Sequence, residues 1–113
     1  MSCFMNCGGC FLTSACVEYL SKPDDCEELT TLRKFRDNYM KSTENGKRLV
    51  EKYYEIAPEI VNRINASEKK DKYYQYIKEV IDKCVEFIGH SEYERALTEY
   101  KFMVKNLETE LLS

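Results

Sequence analysis

Residues 70–89 read KDKYYQYIKEVIDKCVEFIG. Tyr73, Ile77, Val80, Ile81, Cys84 and Ile88 recur here at three- and four-residue intervals. That spacing lines one face of an α-helix. Gly89 and His90 follow the last apolar residue and are expected to close the helix, as glycine commonly does at a C-terminus. A helix over about 70–88 is therefore predicted, and the same period organises the chain on both sides of it.

Downstream, Ser91-Glu92-Tyr93-Glu94 has the spacing of a capping box, in which Ser91 and Glu94 bond each other's backbone N–H. A fifth helix is expected from there to about residue 112, on the stripe Tyr93, Ala96 or Leu97, Tyr100, Met103 or Val104, Leu107 and Leu111. Upstream, residues 66–70 form a short polar linker. Before it, residues 47–65 carry apolar side chains round more than one face, which predicts a central helix touching several neighbours. Pro58 should kink or split that helix near residues 55–57, and Asn45-Gly46 should break the chain ahead of it. A second helix over about 26–41 uses Leu29, Leu32, Phe35, Tyr39 and Met40. Pro23 ends what precedes it, and Asp24 or Asp25 can cap it. Residues 11–20 form a short first helix on Leu12, Cys16, Tyr19 and Leu20, preceded by an irregular Cys- and Gly-containing arm at 1–9.

The predicted fold is all-α: an antiparallel bundle of about four long helices plus a short N-terminal one, forming a single domain over residues 10–113. Two Pro and four Gly in 113 residues leave few breaks for a strand-rich alternative. The expected core is Leu32, Phe35, Leu49, Tyr53, Ile60, Ile77, Ile81, Cys84, Leu97 and Leu107.

With 43% hydrophobic and 33% charged residues, the chain has a globular rather than a disordered composition. Its net charge of −3 comes from interleaved acids and bases, with no basic face for nucleic acid. No apolar run approaches the ~20 residues of a membrane span. Residues 1–10 contain neither Lys nor Arg and no continuous apolar stretch, so they do not read as a secretory leader. The expected location is the cytoplasm, where cysteines are reduced or hold a metal.

Five of the six cysteines, Cys3, Cys7, Cys10, Cys16 and Cys26, lie near the start. Cys3-x3-Cys7-x2-Cys10 has the spacing with which radical S-adenosylmethionine enzymes hold an iron–sulfur cluster, but those enzymes need a large barrel and usually an aromatic where Gly9 stands. Zinc is the easier reading. Cys7-Gly8-Gly9-Cys10 is a flexible Cys-x2-Cys knuckle, and Cys16 and Cys26 would complete four ligands. The competing reading, preferred here, is no cofactor and free thiols. Cys84, on an apolar stripe, then behaves as a small hydrophobe. Cys26 opens a helix, which favours its thiolate, yet Asp24, Asp25, Glu27 and Glu28 surround it and oppose ionisation.

Other chemistry is sparse. His90 stands alone at a helix end, and Glu27 and Glu28 read as a solvated helix start. Most of the rings of Tyr53, Tyr54, Tyr73, Tyr74 and Tyr76 should pack in the bundle, with an exposed aromatic binding patch as the alternative. Arg33 and Asp37, one turn apart, form either a weak surface ion pair or an arrangement in which an Arg is buried and fixes a neighbouring helix through bidentate bonds.

Three segments resemble a known family. Residues 9–15, GCFLTSA, resemble the Cys-Phe-Ile box of the bacterial CFI-box C-terminal domain. Residues 32–39, LRKFRDNY, resemble its Leu-Arg-x-Phe-Arg-Asp segment. Residues 46–58, GKRLVEKYYEIAP, resemble a third segment in which paired Tyr precede Pro. The resemblance spans residues 9 to about 64 and implies a helical domain of bacterial source. It carries no assigned reaction. The positions it marks are Cys10, Arg33, Arg36, Asp37, Tyr53, Tyr54 and Pro58, while Cys16 and Cys26 depart from the family's usual Ala-Tyr-Gly continuation. The expected role is a non-enzymatic module for protein interaction or self-association. The alternative is a thiol-based zinc, iron–sulfur or redox site in the cysteine cluster.

Overall fold

The structure is a computed structural model that describes residues 11–23 and 26–112, with the backbone alone at position 11. The arm expected at 1–9, Cys10, and the capping candidates Asp24 and Asp25 lie outside the described residues. Among the described residues five helices follow one another: α1 (Phe11–Tyr19), α2 (Glu27–Asn38), α3 (Glu44–Asn65), α4 (Lys70–Gly89) and α5 (Tyr93–Leu112). A single 3-10 turn, Met40–Ser42, joins α2 to α3, and there is no strand among the described residues. The fold is the predicted all-α bundle.

Side-chain contacts fix the directions. Along α4 and α5, Tyr73 meets Glu110, Tyr76 meets Asn106, and Cys84 meets Ala96, so the two helices run antiparallel. Along α3 and α5, Tyr53 meets Tyr100 and Arg63 meets Leu111, so these two run parallel. The inward face of α4, Tyr74, Ile77, Val80, Ile81 and Cys84, is buried. This helix packs against all four others. The wide apolar face of α3 also meets several neighbours, namely α1, α4, α5 and the 3-10 turn.

Eight of the ten expected core residues are buried: Leu32, Phe35, Tyr53, Ile60, Ile77, Ile81, Cys84 and Leu107. Leu49 and Leu97 are half-buried, because each sits at the edge of its helix's inward face. On α1, Leu12 and Cys16 are buried as expected, but Val17 takes the inward place and Tyr19 and Leu20 are exposed.

The helix ends differ most from expectation. Ser91 does not cap α5. It stands just past α4 at φ 60°, its N–H bonds Ile88 O at 3.0 Å, and Glu92 N–H bonds Phe87 O at 2.8 Å. That is a Schellman motif with Ser91 in the left-handed position usually given to glycine. Gly89 is the last helical residue instead. Ser21 does the same after α1, with φ 60° and bonds from Ser21 N–H to Glu18 O and from Lys22 N–H to Val17 O. Asn45-Gly46 is no break either. Thr43 is the N-cap of α3, its Oγ1 accepting from Gly46 N–H at 3.0 Å. α3 then continues through Pro58, which occupies a half-buried place without splitting the helix.

Gly46 is needed for space. A Cβ there would lie 1.7 Å from the carbonyl oxygen of Met40, a backbone atom that cannot step aside. At Gly89 a Cβ would meet nothing within 4 Å. Two Gly→Ala changes should therefore have opposite signs. Gly46→Ala should lose about 1–3 kcal/mol through overpacking, and Gly89→Ala should gain about 0.5–1 kcal/mol from helix propensity. Urea midpoints that moved in the same direction would contradict the close approach. Independently, Leu32→Ala and Ile81→Ala should each cost about 2–5 kcal/mol, and unmoved midpoints would contradict their place in the core.

Candidate functional site

The described positions marked by the resemblance, all but Cys10, do not converge on one site. On α2, Arg36 is buried and gives Asp37 two hydrogen bonds, Nε to Oδ1 at 2.8 Å and Nη2 to Oδ2 at 3.2 Å. The arginine that grips Asp37 is thus Arg36, its neighbour in sequence. Arg36 holds the Asp37 carboxyl below its ordinary range, with Lys41, 3.8 Å away, adding to the effect. Leu32, Phe35, Met40, Cys84 and Tyr100 line the same internal slot as Arg36, while its two bonds to Asp37 stay within α2. Arg33 is half-buried. Tyr53 is buried 5.9 Å from the ring of Tyr100, whereas Tyr54 is exposed on another face of α3.

Of the four cysteines weighed as metal ligands, Cys7 and Cys10 lie outside the described residues. Cys16 is fully buried on α1 and donates its thiol to Tyr74 O at 3.4 Å. Burial pushes its pKa up to about 11, so it is a protonated thiol at neutral pH. To become a thiolate ligand it would have to give up that bond and ionise inside the bundle. Cys26 is the half-buried N-cap residue of α2, and its side chain makes no capping bond to the helix. Cys84 donates to Ala96 O at 3.4 Å, and burial raises its pKa to about 12. No three His, Cys, Asp or Glu side chains among the described residues gather where they could hold a metal ion.

Glu28 is not a solvated helix start. Its carboxylate accepts from Lys22 and lies 3.6 Å from Lys78 Nζ, which in turn reaches Asp82 at 2.7 Å. This chain of charges ties the turn after α1 and the start of α2 to α4. The Lys22 bond is the main reason that the Glu28 carboxyl is held down to about 2, from an ordinary value of 4.5.

The tyrosines of α4 form no open patch. Tyr74 is buried, stacks on Tyr19 at 4.5 Å and bonds Asn65 Oδ1 at 2.8 Å. Tyr73 donates to Glu110 at 2.8 Å, and Tyr76 accepts from Asn106 at 3.1 Å. These bonds lie along an open furrow of about 840 Å³ between α4 and α5, so its Tyr, Asn and Glu groups already satisfy one another.

A second furrow, of about 390 Å³, runs between α3 and α5. Leu49 and Lys52 line it from α3, and Lys101, Phe102, Lys105 and Glu108 from α5. Phe102 is 64% exposed, more than any other large hydrophobic side chain among the described residues. Lys52 lies 4.0 Å from Glu108. Lys101 and Lys105 make no ion pair among the described residues. The α5 stripe read from sequence omits Phe102, since it lies out of phase with Tyr100, Met103 and Leu107. A large aromatic on the solvent phase of an otherwise regular stripe is the signal that could have marked it.

The fold and this face define a helical bundle with a basic, partly apolar outer furrow between α3 and α5. No family model, curated protein or solved structure matches the chain. No helix of the described residues is long and apolar enough to cross a membrane.

The Glu28 cluster generates a pH prediction. A carboxyl whose pKa is lower folded than unfolded contributes stability above its unfolded pKa, and the contribution fades as pH falls through the folded value. The stability difference between wild type and Glu28→Gln should therefore shrink as pH drops from about 4.5 towards about 2. Chemical denaturation across that window checks it, and a difference independent of pH would contradict the assignment.

Proposed function

We propose that this chain is a non-enzymatic protein-interaction module that docks its partner through the face between α3 and α5. The observation that carries the reading is Phe102, held open to solvent beside Leu49 among three lysines. A lone exposed hydrophobic is ordinary on a protein surface. One that stands over a furrow with other apolar side chains beneath it offers an anchor for a partner. The resemblance to the CFI-box domain agrees with a helical module and supplies no reaction. The free thiols of Cys16, Cys26 and Cys84 suit the reducing cytoplasm, where we place the protein.

The thiol-metal alternative, with Zn or an iron–sulfur cluster on Cys7, Cys10, Cys16 and Cys26, has less support. One of its four ligands, Cys16, is already committed to the Tyr74 carbonyl inside the bundle.

Selection from a displayed peptide library followed by titration tests the interaction reading. Enriched peptides should bind Phe102→Ser about tenfold more weakly than wild type, a loss of about 1.4 kcal/mol. They should bind Tyr54→Ser, altered on another face of α3, like wild type. Peptides that bind the Phe102→Ser protein undiminished would overturn the reading.

A further inference from the structure

We infer that the segment docking between α3 and α5 is an acidic amphipathic helix of another protein, which sets an apolar side chain against Phe102 and its carboxylates on Lys52, Lys101 and Lys105. This deepens the interaction reading and rests on it.

Charge is the first argument. The chain as a whole is negative, at −3. Yet this furrow gathers three ammonium groups against the single carboxylate of Glu108. Lys52 has that carboxylate at 4.0 Å. Lys101 and Lys105, one turn apart on α5 and both exposed, are left to meet acids from outside. A local excess opposite in sign to the whole molecule steers acidic partners to this face and repels basic ones.

Shape is the second. α3 and α5 run parallel along the furrow, as the Tyr53–Tyr100 and Arg63–Leu111 contacts show. Its α5 wall extends from Thr98 to Glu108, about three helical turns or ~15 Å. A helix can lie along such a furrow with its own backbone fully bonded and only its apolar stripe buried. A segment docking by strand addition would need a sheet edge, and the described residues contain no strand.

Contrast with the α4–α5 furrow is the third argument. There Lys69 and Lys72 also offer ammonium groups, but Tyr73 is bonded to Glu110 and Tyr76 to Asn106, and no exposed large hydrophobic side chain among the described residues lines the furrow as an anchor. Between α3 and α5 the lysines flank an exposed apolar anchor, Phe102, and two of them, Lys101 and Lys105, make no ion pair among the described residues.

Two synthetic helical peptides with the same leucine stripe, one flanked by glutamates and one by lysines, test the inference on the full-length chain. A short single-stranded oligonucleotide serves as the third probe. Binding is followed by anisotropy and by amide chemical shifts. The glutamate peptide should bind, with shifts centred on Leu49 and on residues 101–105, and should weaken as salt is added. Lys101→Glu combined with Lys105→Glu changes only exposed side chains. Circular dichroism should show that variant folded, with its affinity for the glutamate peptide reduced about tenfold or more and its preference reversed towards the lysine peptide. If the lysine peptide binds wild type at these residues as well as the glutamate peptide does, the acidic partner is wrong and the interaction reading stands. If neither peptide binds, both fall. Tighter binding of the oligonucleotide at the same residues would overturn the inference in favour of a nucleic-acid partner.

Discussion

The bundle depends on one buried surface, the inward face of α4. Tyr74, Ile77, Val80, Ile81 and Cys84 lie within a few per cent of complete burial, and every other helix rests against this element. Burying those side chains is the dominant favourable term available to a chain of this kind. The polar contacts are arranged round its margin. Cys16 gives its thiol to the Tyr74 carbonyl, Cys84 gives its own to Ala96, and Lys78 draws Glu28 and Asp82 together. Each fixes the position of a neighbour relative to α4 and adds little driving force by itself. With packing settled at α4, the outer surfaces of α3 and α5 are free to carry residues chosen for other reasons. Phe102 and its neighbouring lysines occupy that freedom.

The fold was legible because the α4 stripe is regular and long. A 3.6-residue period sustained across a whole helix leaves no competing arrangement that buries the same side chains. Helix ends were less legible, because the local codes are ambiguous. Ser91 three residues before Glu94 satisfies the pattern of a capping box, but the same serine closes α4 in a left-handed conformation, and only the chain path decides between the two. Asn45-Gly46 has the composition of a turn. Gly46 is there because α3 passes against the Met40 carbonyl, a tertiary contact with no local signature. Leu49 and Leu97 were expected in the core from their phase. Their helices have an edge there, which periodicity alone does not resolve.

The candidate site was hardly legible. Attention in the sequence goes to cysteines, paired tyrosines and the Arg33–Asp37 spacing, since these residue types carry chemistry. In the fold, Arg36 and Asp37 pair with each other within α2, Tyr53 and Tyr74 fill the core, and Cys16 and Cys84 are protonated small hydrophobes. The face that stands out is made of ordinary residues, one phenylalanine and three lysines, drawn from helices some fifty positions apart. Their meaning lies in being on the same side of the bundle, which becomes visible only when α3 and α5 are placed side by side.

The central claim is that α4 is the element on which the others depend, and native-state amide hydrogen exchange measures it most directly. If the account is right, the amides of Ile77, Val80, Ile81 and Cys84 exchange only through global unfolding, with the highest protection in the chain, while the termini of α1 and α5 open earlier. Exchange of those α4 amides through a local opening, while α3 and α5 remained protected, would contradict it.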